Sequence, residues 1–498
     1  VNRRAIAVLV GSMLTLVACF ELVAALVAQL YGEASSRNAL LAGAGVGLVI
    51  GLGLVLSCRE WKRAARGAAP IYRSEGLAAV GLGWPACMVL GALPFLFAGV
   101  FDSPLDALFE SVSGFTTTGA TVLTFHGIDE LERGMAFWRA LTHWMGGAGI
   151  VVVLLLVLPT GGRSLYRSEV SGLQREADLA RVRDSAYAML RIYLGLSLAC
   201  TVALLLSGVD LFESLVHTFA TIATGGFSNH SDSIAYFRSS AVEIVLIVFM
   251  FVAGMNFGLL DGLWRRGPRA GLSELVSNSE MRLYAGLFAI GGIGIGLILW
   301  FQPAPIAGRD YSSFATALRD AFFQVASLGT STGFASADYE QWPEVCRLFL
   351  LLLVMTGACA GSTSGGLKLV RVVVIAKVAL RGMASFLRPR AVTLVRLNGE
   401  PLGDEVVSAG GRFFALWCLS LVVGTFAMVC CGTDLVEGLA CAATALGNNG
   451  GCFGRYGPAA TFSELHPAGK AVMTFLMLLG RLEFYALLAV LSPRFWRF

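Results

Sequence analysis

Long apolar runs separated by short polar segments organise the 498 residues. A helix needs about 20 mostly apolar residues to cross the hydrocarbon of a bilayer. Ten stretches predict such spans: Ala5–Leu30, Leu40–Ser57, Gly76–Val100, Ala136–Leu158, Met189–Leu206, Ala241–Leu260, Leu283–Phe301, Val345–Leu380, Phe413–Cys431 and Ala471–Leu491. Ala5–Leu30 follows a short basic start, Val1–Arg4, and is long enough to span and stay rather than serve as a cleaved leader. The run from Val345 to Leu380, 36 residues, is too long for one crossing and is interrupted by "TGACAGSTSGG", Thr356–Gly366.

Between the apolar runs lie four polar, glycine-rich stretches: "SGFTTTGATV", "TIATGGFSNH", "LGTSTGFASA" and "LGNNGGCFG". Aligned on Gly119, Gly226, Gly333 and Gly450, they are separated by 107, 107 and 117 residues. Thirteen residues before each glycine stands an acid (Asp106, Glu213, Asp320, Glu437), and eleven before a large apolar residue (Leu108, Leu215, Phe322, Leu439). Two before the glycine stand Thr117, Thr224, Ser331 and Asn448, and one before stand Thr118, Gly225, Thr332 and Asn449. Four aligned acids in an acid-poor chain mark a fourfold internal repeat.

Each repeat reads as span, short helix, glycine stretch, span. Ser103-Pro104 offers a hydroxyl at the N-cap and proline at N1, while Asp210 with Glu213 and Asp434 with Glu437 have capping-box spacing. The third copy has Ala317 at that position, so its start is less clear. Roughly a dozen residues of helix rise about 16 Å, enough to enter the bilayer halfway. The loops after the second, fourth, sixth and eighth spans carry most Arg and Lys, which predicts both termini on the cytoplasmic side and the four glycine stretches outside. With two spans per repeat, all copies share one orientation. The predicted fold is an all-α integral membrane protein: four parallel span–pore helix–span repeats in a pseudo-fourfold ring around one pore, preceded by two extra transmembrane helices. The expected boundaries are 1–70 for the extra helices and 71–162, 163–270, 271–390 and 391–498 for the repeats.

Composition supports this class. Hydrophobic residues make up 56% and charged residues only 14% of the chain, with a mean hydropathy of +0.72; soluble domains carry about 25% charge. Lipid is the expected surrounding. The net charge of +4 says little about partners by itself, and no nucleic-acid partner is expected. Eleven cysteines, mostly inside apolar runs and without a CxxC, read as small core residues. No HExxH, paired catalytic carboxylates or Ser/His/Asp arrangement is evident, so an enzyme is not expected, nor an organic cofactor. Gly43, Gly45 and Gly47 lie in an apolar span and fit close helix packing better than phosphate binding.

Irregular backbone at membrane depth is tolerated where it lines a cavity or is buried in protein. Four such stretches meeting at an axis, with the partly negative C-terminal ends of four helices aimed at them, suit a bare cation whose hydration shell carbonyls can replace. The break at Thr356–Gly366 falls near the bilayer middle on the cytoplasmic side of these stretches, which makes Gly357, Ala358, Cys359, Ala360, Gly361, Ser362, Thr363, Ser364, Gly365 and Gly366 a candidate gate. A glycine-packed kink is the alternative. Arg481, about 12 residues into the last span, faces either the conduit below the filter or a partner such as Glu483. Lys368 reads as a snorkelling or capping residue. The four acids either stabilise the positive ends of the short helices or form a ring that concentrates cations. Glu21 and Glu243 are the mid-span acids, with no obvious chain of partners that would serve an ion-coupled carrier.

The motifs "GFTTTGAT", "ATGGFSNH", "TSTGF" and "GNNGG" in order, with "WMGGAGIVV" and "GACAGSTSGGLKLVR", resemble the TrkH/KtrB potassium-uptake proteins over nearly the whole chain. The two extra leading spans look more like the TrkH type. The resemblance implies potassium uptake across the bacterial inner membrane, a homodimer with one pore per subunit, and control by a cytosolic nucleotide-binding protein of the TrkA type. It implies a filter at Thr117, Thr118, Gly119, Thr224, Gly225, Gly226, Ser331, Thr332, Gly333, Asn448, Asn449 and Gly450, with K⁺ as the transported ion held at Thr117, Thr118, Thr224, Gly225, Ser331, Thr332, Asn448 and Asn449. It also places the 356–366 loop beneath the filter and the matching arginine, Arg481, in the conduit there. In that superfamily glycine at all four central positions goes with potassium preference, and serine in the first loop with sodium-conducting plant relatives. Ala120 and Gly451, where the other loops have Phe227 and Phe334, leave a weakly selective K⁺/Na⁺ conductor or an ion-coupled symporter as the alternative.

Overall fold

A computed structural model describes residues 2–58, 73–149, 179–387 and 394–497. Among these, six helices are long and apolar enough to cross a membrane, and two further bent pairs pass the same test. The expected span Ala136–Leu158 is described only as far as residue 149, and the rest lies outside the described residues.

The two leading helices, Arg3–Leu30 and Ala34–Ser57, form an antiparallel hairpin beside the first repeat. Asn2 caps the first by accepting from the N–H groups of Arg4 and Ala5. Small residues let the pair approach: a Cβ at Gly11 would lie 2.7 Å from the Gly51 carbonyl oxygen. Gly43 and Gly47 pack against Pro94 and Leu90 of the next helix, whereas Gly45 faces open space.

Each repeat then supplies an outer helix, a pore helix and an inner helix. The outer helices are Arg73–Phe97, Leu179–Leu206, Ser279–Trp300 and Asp404–Cys430. The pore helices are Pro104–Phe115, Leu211–Ile222, Phe314–Gly329 and Leu435–Gly447. The inner helices begin at Arg133, Ser240, Glu344 and Pro467. Each inner helix packs on the pore helix of the following repeat, and the fourth packs on the first, so the repeats close a ring in chain order.

Capping explains where the pore helices start. Asp210 accepts from the Glu213 N–H at 2.7 Å, and Asp434 and Glu437 form the reciprocal capping box. Ser103 occupies the N-cap position, but its side chain makes no capping bond. The third pore helix starts about one turn earlier than the aligned Ala317 suggests, at Phe314 behind Ser313, and runs 16 residues.

The inner helices depart most from expectation. None continues straight through: the first ends at Ala148, the second bends by 93° between Ala253 and Phe257, and the fourth bends by 115° between Arg481 and Tyr485. The third ends at Thr356 and resumes at Leu369. Asn256 restarts the second by accepting from the Gly258 N–H at 2.8 Å, and the fourth turns on two left-handed residues, Glu483 (φ 49°) and Phe484 (φ 66°). Glu243 is not a mid-span acid: it sits in the first turn of the second inner helix, paired to Arg319 at 2.5 Å and to Arg309 at 3.6 Å.

Candidate functional site

All four pore helices end in the same way. The residues two before the central glycines, Thr117, Thr224, Ser331 and Asn448, adopt left-handed backbone with φ of 56°, 54°, 59° and 47°. The next residue folds back to the helix: Thr118 donates to Ser113 O, Gly225 to Ala220 O and Thr332 to Ser327 O, each at 2.8 Å, and Asn449 to Thr444 O at 3.0 Å. This is a Schellman-type cap, which satisfies orphan carbonyls and turns the chain sharply off the axis. Asparagine tolerates that conformation, whereas threonine and serine adopt it at a cost of roughly 1–2 kcal/mol each. Strain of this kind persists only where its surroundings over-determine it.

The central glycines then meet in a closed cycle. A Cβ on Gly119 would overlap the Gly225 carbonyl oxygen, and one on Gly226 the Thr332 carbonyl oxygen. One on Gly333 would lie 2.7 Å from Gly450, and one on Gly450 lies 3.0 Å from the carbonyl oxygens of Thr118 and Gly119. Three of the four, Gly119, Gly226 and Gly333, also have positive φ. Side chains are thus excluded both by space and by backbone. Above the ring a vestibule is lined by all four glycines together with Thr121, Ser228, Ala335 and Cys452.

Buried polar side chains brace the strand leaving the ring. Glu110 accepts from the Thr121 hydroxyl at 2.9 Å and the Val122 N–H at 3.0 Å, and it pairs with buried Arg139 at 2.6 Å. His217 and Ser228 lie at 3.2 Å, and Gln324 donates to Ser336 at 3.4 Å. In the fourth loop Asn448 donates to the Thr118 hydroxyl at 3.2 Å and to Met477 O at 2.9 Å, while Asn449 donates to Leu328 O at 2.8 Å. Both asparagines therefore tie neighbouring repeats together.

The four aligned acids are all engaged. Lys470 of the last inner helix reaches Asp106 at 2.9 Å, Arg309 holds Asp320 at 2.7 Å, and Glu437 closes its capping box. Glu213 takes Asn229 at 2.7 Å and His230 at 3.2 Å. Burial raises the Glu213 carboxyl, but the imidazoles of His230 and His217 and the Asn229 amide outweigh it and hold it below its ordinary range. The acids stitch pore helices to their surroundings rather than standing as an open ring. His230 stacks on Tyr236 at 3.5 Å and lines the vestibule.

Directly below the ring lies the 357–368 segment. Ser364 and Ser331 hydroxyls are 2.9 Å apart, and the Gly365 N–H donates to Ser331 Oγ at 3.0 Å, so the segment bonds the left-handed cap residue of the third loop itself. A Cβ on Gly365 would come within 2.7 Å of Asn448. On the second repeat, Cys359 N–H donates to Gly254 O at 3.1 Å and Gly361 O accepts from Phe257 N–H at 3.0 Å, filling groups left open by the bend. Arg481 donates to Thr363 O at 3.1 Å and to Gly146 O, which brings in the first repeat. The segment is thereby tied to all four repeats.

Glu280 and His143 escape sequence reasoning, and so do the Arg371 and Lys368 partners of Glu483. Buried Glu280 accepts from Ala360 N–H at 2.6 Å and Val370 N–H at 3.0 Å, anchoring both ends of the segment. Glu483, in the bend beside Arg481, holds Arg371 at 2.6 Å and Lys368 at 3.5 Å, so Lys368 belongs to a clasp between the third and fourth repeats. His143 stacks on Phe227 at 4.0 Å and occupies the space a side chain at 225 would need, which explains glycine there where the other loops carry Thr or Asn. A lone polar residue in an apolar helix gives no periodic signal. The glycines at 146, 147 and 254 and the asparagine at 256 were the available hints to the inner-helix breaks.

Residues 53–497 match the family model described as TrkH, a cation transport protein. The chain is 34% identical to the Trk system potassium uptake protein TrkH of Escherichia coli K12, and 34% identical to that of Vibrio parahaemolyticus, over 99% of both chains in each case. It is also similar to the crystal structure of the potassium transporter TrkH from Vibrio parahaemolyticus, with a TM-score of 0.87, 32% identity and full coverage of both chains. With the family model matching 53–497, relatives 34% identical over 99% of both chains and a crystal structure at a TM-score of 0.87, the chain that carries this ring of four glycine loops belongs to the TrkH family of cation transport proteins.

Proposed function

We propose that the chain takes up potassium ions through a channel-like pore across the bacterial inner membrane. The single observation that carries this reading is the closed cycle Gly119–Gly226–Gly333–Gly450, flanked by four pore-helix C-termini in matching caps. Backbone carbonyls of Thr117, Thr118, Thr224, Gly225, Ser331, Thr332, Asn448 and Asn449 are the groups assigned to replace the ion's water. The segment from Gly357 to Gly366, pinned by Ser331, Glu280 and Arg481, is the assigned gate. Both termini are placed in the cytoplasm and the vestibule outside, following the basic loops. The repeat boundaries 71–162, 163–270, 271–390 and 391–498, a homodimer, and a nucleotide-binding regulator of the TrkA type on the cytoplasmic face belong to the same proposal. An ion-coupled symporter finds less support, since Glu243 is bound to Arg319 and Glu21 lies in the leading hairpin, against Gly43.

Rubidium influx into liposomes holding the purified chain, competed by potassium and by sodium, tests the reading. Potassium should compete far more strongly. Equal competition by the two ions would replace a potassium pathway with an unselective one.

A further inference from the structure

The strand braces of the four repeats differ in one place. Nine residues before each central glycine, the pore helix carries Glu110, His217, Gln324 and Cys441. In the first two repeats this residue bonds the side chain two after the glycine, Thr121 at 2.9 Å and Ser228 at 3.2 Å, and in the third the side chain three after it, Ser336 at 3.4 Å. In the fourth the pair is Cys441 and Cys452, with Sγ atoms 3.9 Å apart. A thiol is a weak donor and a weak acceptor, so as thiols these two give the fourth strand the poorest brace of the set.

We propose that Cys441 and Cys452 form a disulfide that braces the fourth filter loop. Both side chains are buried, at 0% and 1% exposure, and nothing stands between the sulfurs. A disulfide has sulfurs about 2.05 Å apart, so the two sulfurs, 3.9 Å apart and in direct contact, must draw together to bond. The fourth loop also follows a different backbone path, because Gly450 lacks the positive φ shared by Gly119, Gly226 and Gly333, and its other fixings include the hydrogen bonds from Tyr339 to Cys452 O at 2.9 Å and from Thr444 to Gly451 O at 3.1 Å. Cys452 lines the vestibule together with Thr121 and Ser228. The proposal rests on the outward orientation given above, which puts the pair in the oxidising compartment where disulfides persist.

The chemistry balances with a protein disulfide of the thiol-oxidoreductase class as the oxidant. One cysteine thiolate attacks that disulfide, the second displaces the mixed disulfide, and two thiols become one S–S bond as the oxidant is reduced to its dithiol with two protons. Because both sulfurs are buried in the folded chain, the bond forms before the loop closes, and reductant reaches it only after unfolding.

The test uses full-length protein extracted from cells with a maleimide present throughout lysis and unfolding, digested without reductant and analysed by mass. The expected result is one species joining the Cys441 and Cys452 peptides, separated by reduction. Recovery of both cysteines carrying maleimide overturns the proposal. Cys441→Ser, Cys452→Ser and the double variant should lower the thermal midpoint of rubidium flux by the same amount, since each removes one shared bond. Additive losses contradict it. Orientation is read separately by a membrane-impermeant maleimide on intact cells, directed at exposed Cys430 at the end of the fourth outer helix. Labelling of Cys430 with no linked peptide defeats the disulfide alone. Labelling only in inverted vesicles defeats the orientation and the disulfide with it.

Discussion

The glycine ring and the segment beneath it are both irregular backbone inside a helical bundle, yet they are held by different means. The ring is built four times from local parts: each loop is capped by its own pore helix, fixed by left-handed residues and closed by glycines that touch the next loop. The segment from Gly357 occurs once, and its fixings come from elsewhere: Ser331 above, Glu280 from an outer helix, Gly254 from the second inner helix and Arg481 from the fourth. A local, strained and repeated structure has few alternatives. A segment held by single hydrogen bonds, each worth about 0.5–1.5 kcal/mol or about 1.5–3 with a charged partner, can let go without disturbing the ring. The proposed filter and the proposed gate are thus held by different kinds of contact and meet at Ser331.

The largest expected effect comes from breaking the ring. In Gly226→Ala the new methyl overlaps the Thr332 carbonyl oxygen at a positive φ of 79°. The combined clash and strain, about 3 kcal/mol or more, should lower the potassium-over-sodium preference by roughly 100-fold. Competition of rubidium flux by the two ions reads it directly.

Next is Arg481→Ala, which removes donors to Thr363 O and Gly146 O. The loss of charge-assisted bonds should raise basal flux by about 10- to 100-fold with ion preference unchanged. Shortening the Gly357–Gly366 stretch should act in the same direction. Flux that stays at the wild-type level in both would remove the segment from the conduction path.

Ser364→Ala deletes one neutral link to Ser331 and one to Ala358. A rise of about 3- to 10-fold in basal flux is expected. Smallest is Thr224→Asn, which places a residue at ease with left-handed backbone where threonine is strained. It should raise the thermal midpoint modestly, by about 1 kcal/mol of stability, with the smallest change in flux and preference of the four.

The ring was legible because its chemistry recurs at a fixed register: the residues at 117, 224, 331 and 448 are small or polar in every copy, and the acids thirteen before each glycine align without gaps. Their shared left-handed conformation was not legible, since threonine and serine normally avoid it and only Asn448 hinted at it. The broken third inner helix announced itself through eleven polar or small residues, Thr356–Gly366, in an apolar run. The bends at 254–256 and 482–484 were hinted at only by Gly254, Asn256, Arg481 and Glu483, because the partners that give these residues their roles, Cys359, Gly361, Thr363 and Lys368, lie far along the chain. Ser313 was passed over as a cap because the aligned position pointed to Ala317, one turn later. Glu280 and Glu483 acquire meaning only once folding brings Ala360, Val370, Lys368 and Arg371 to them.

The most direct test of the separation compares Gly119→Ser and Arg481→Ala in the same liposome rubidium assay, scoring basal rate and potassium-over-sodium preference for each. The account predicts that the glycine variant loses preference without a rise in basal rate, and that the arginine variant gains rate with its preference intact. Either variant shifting both quantities together would contradict it, because filter and gate would then be one structure.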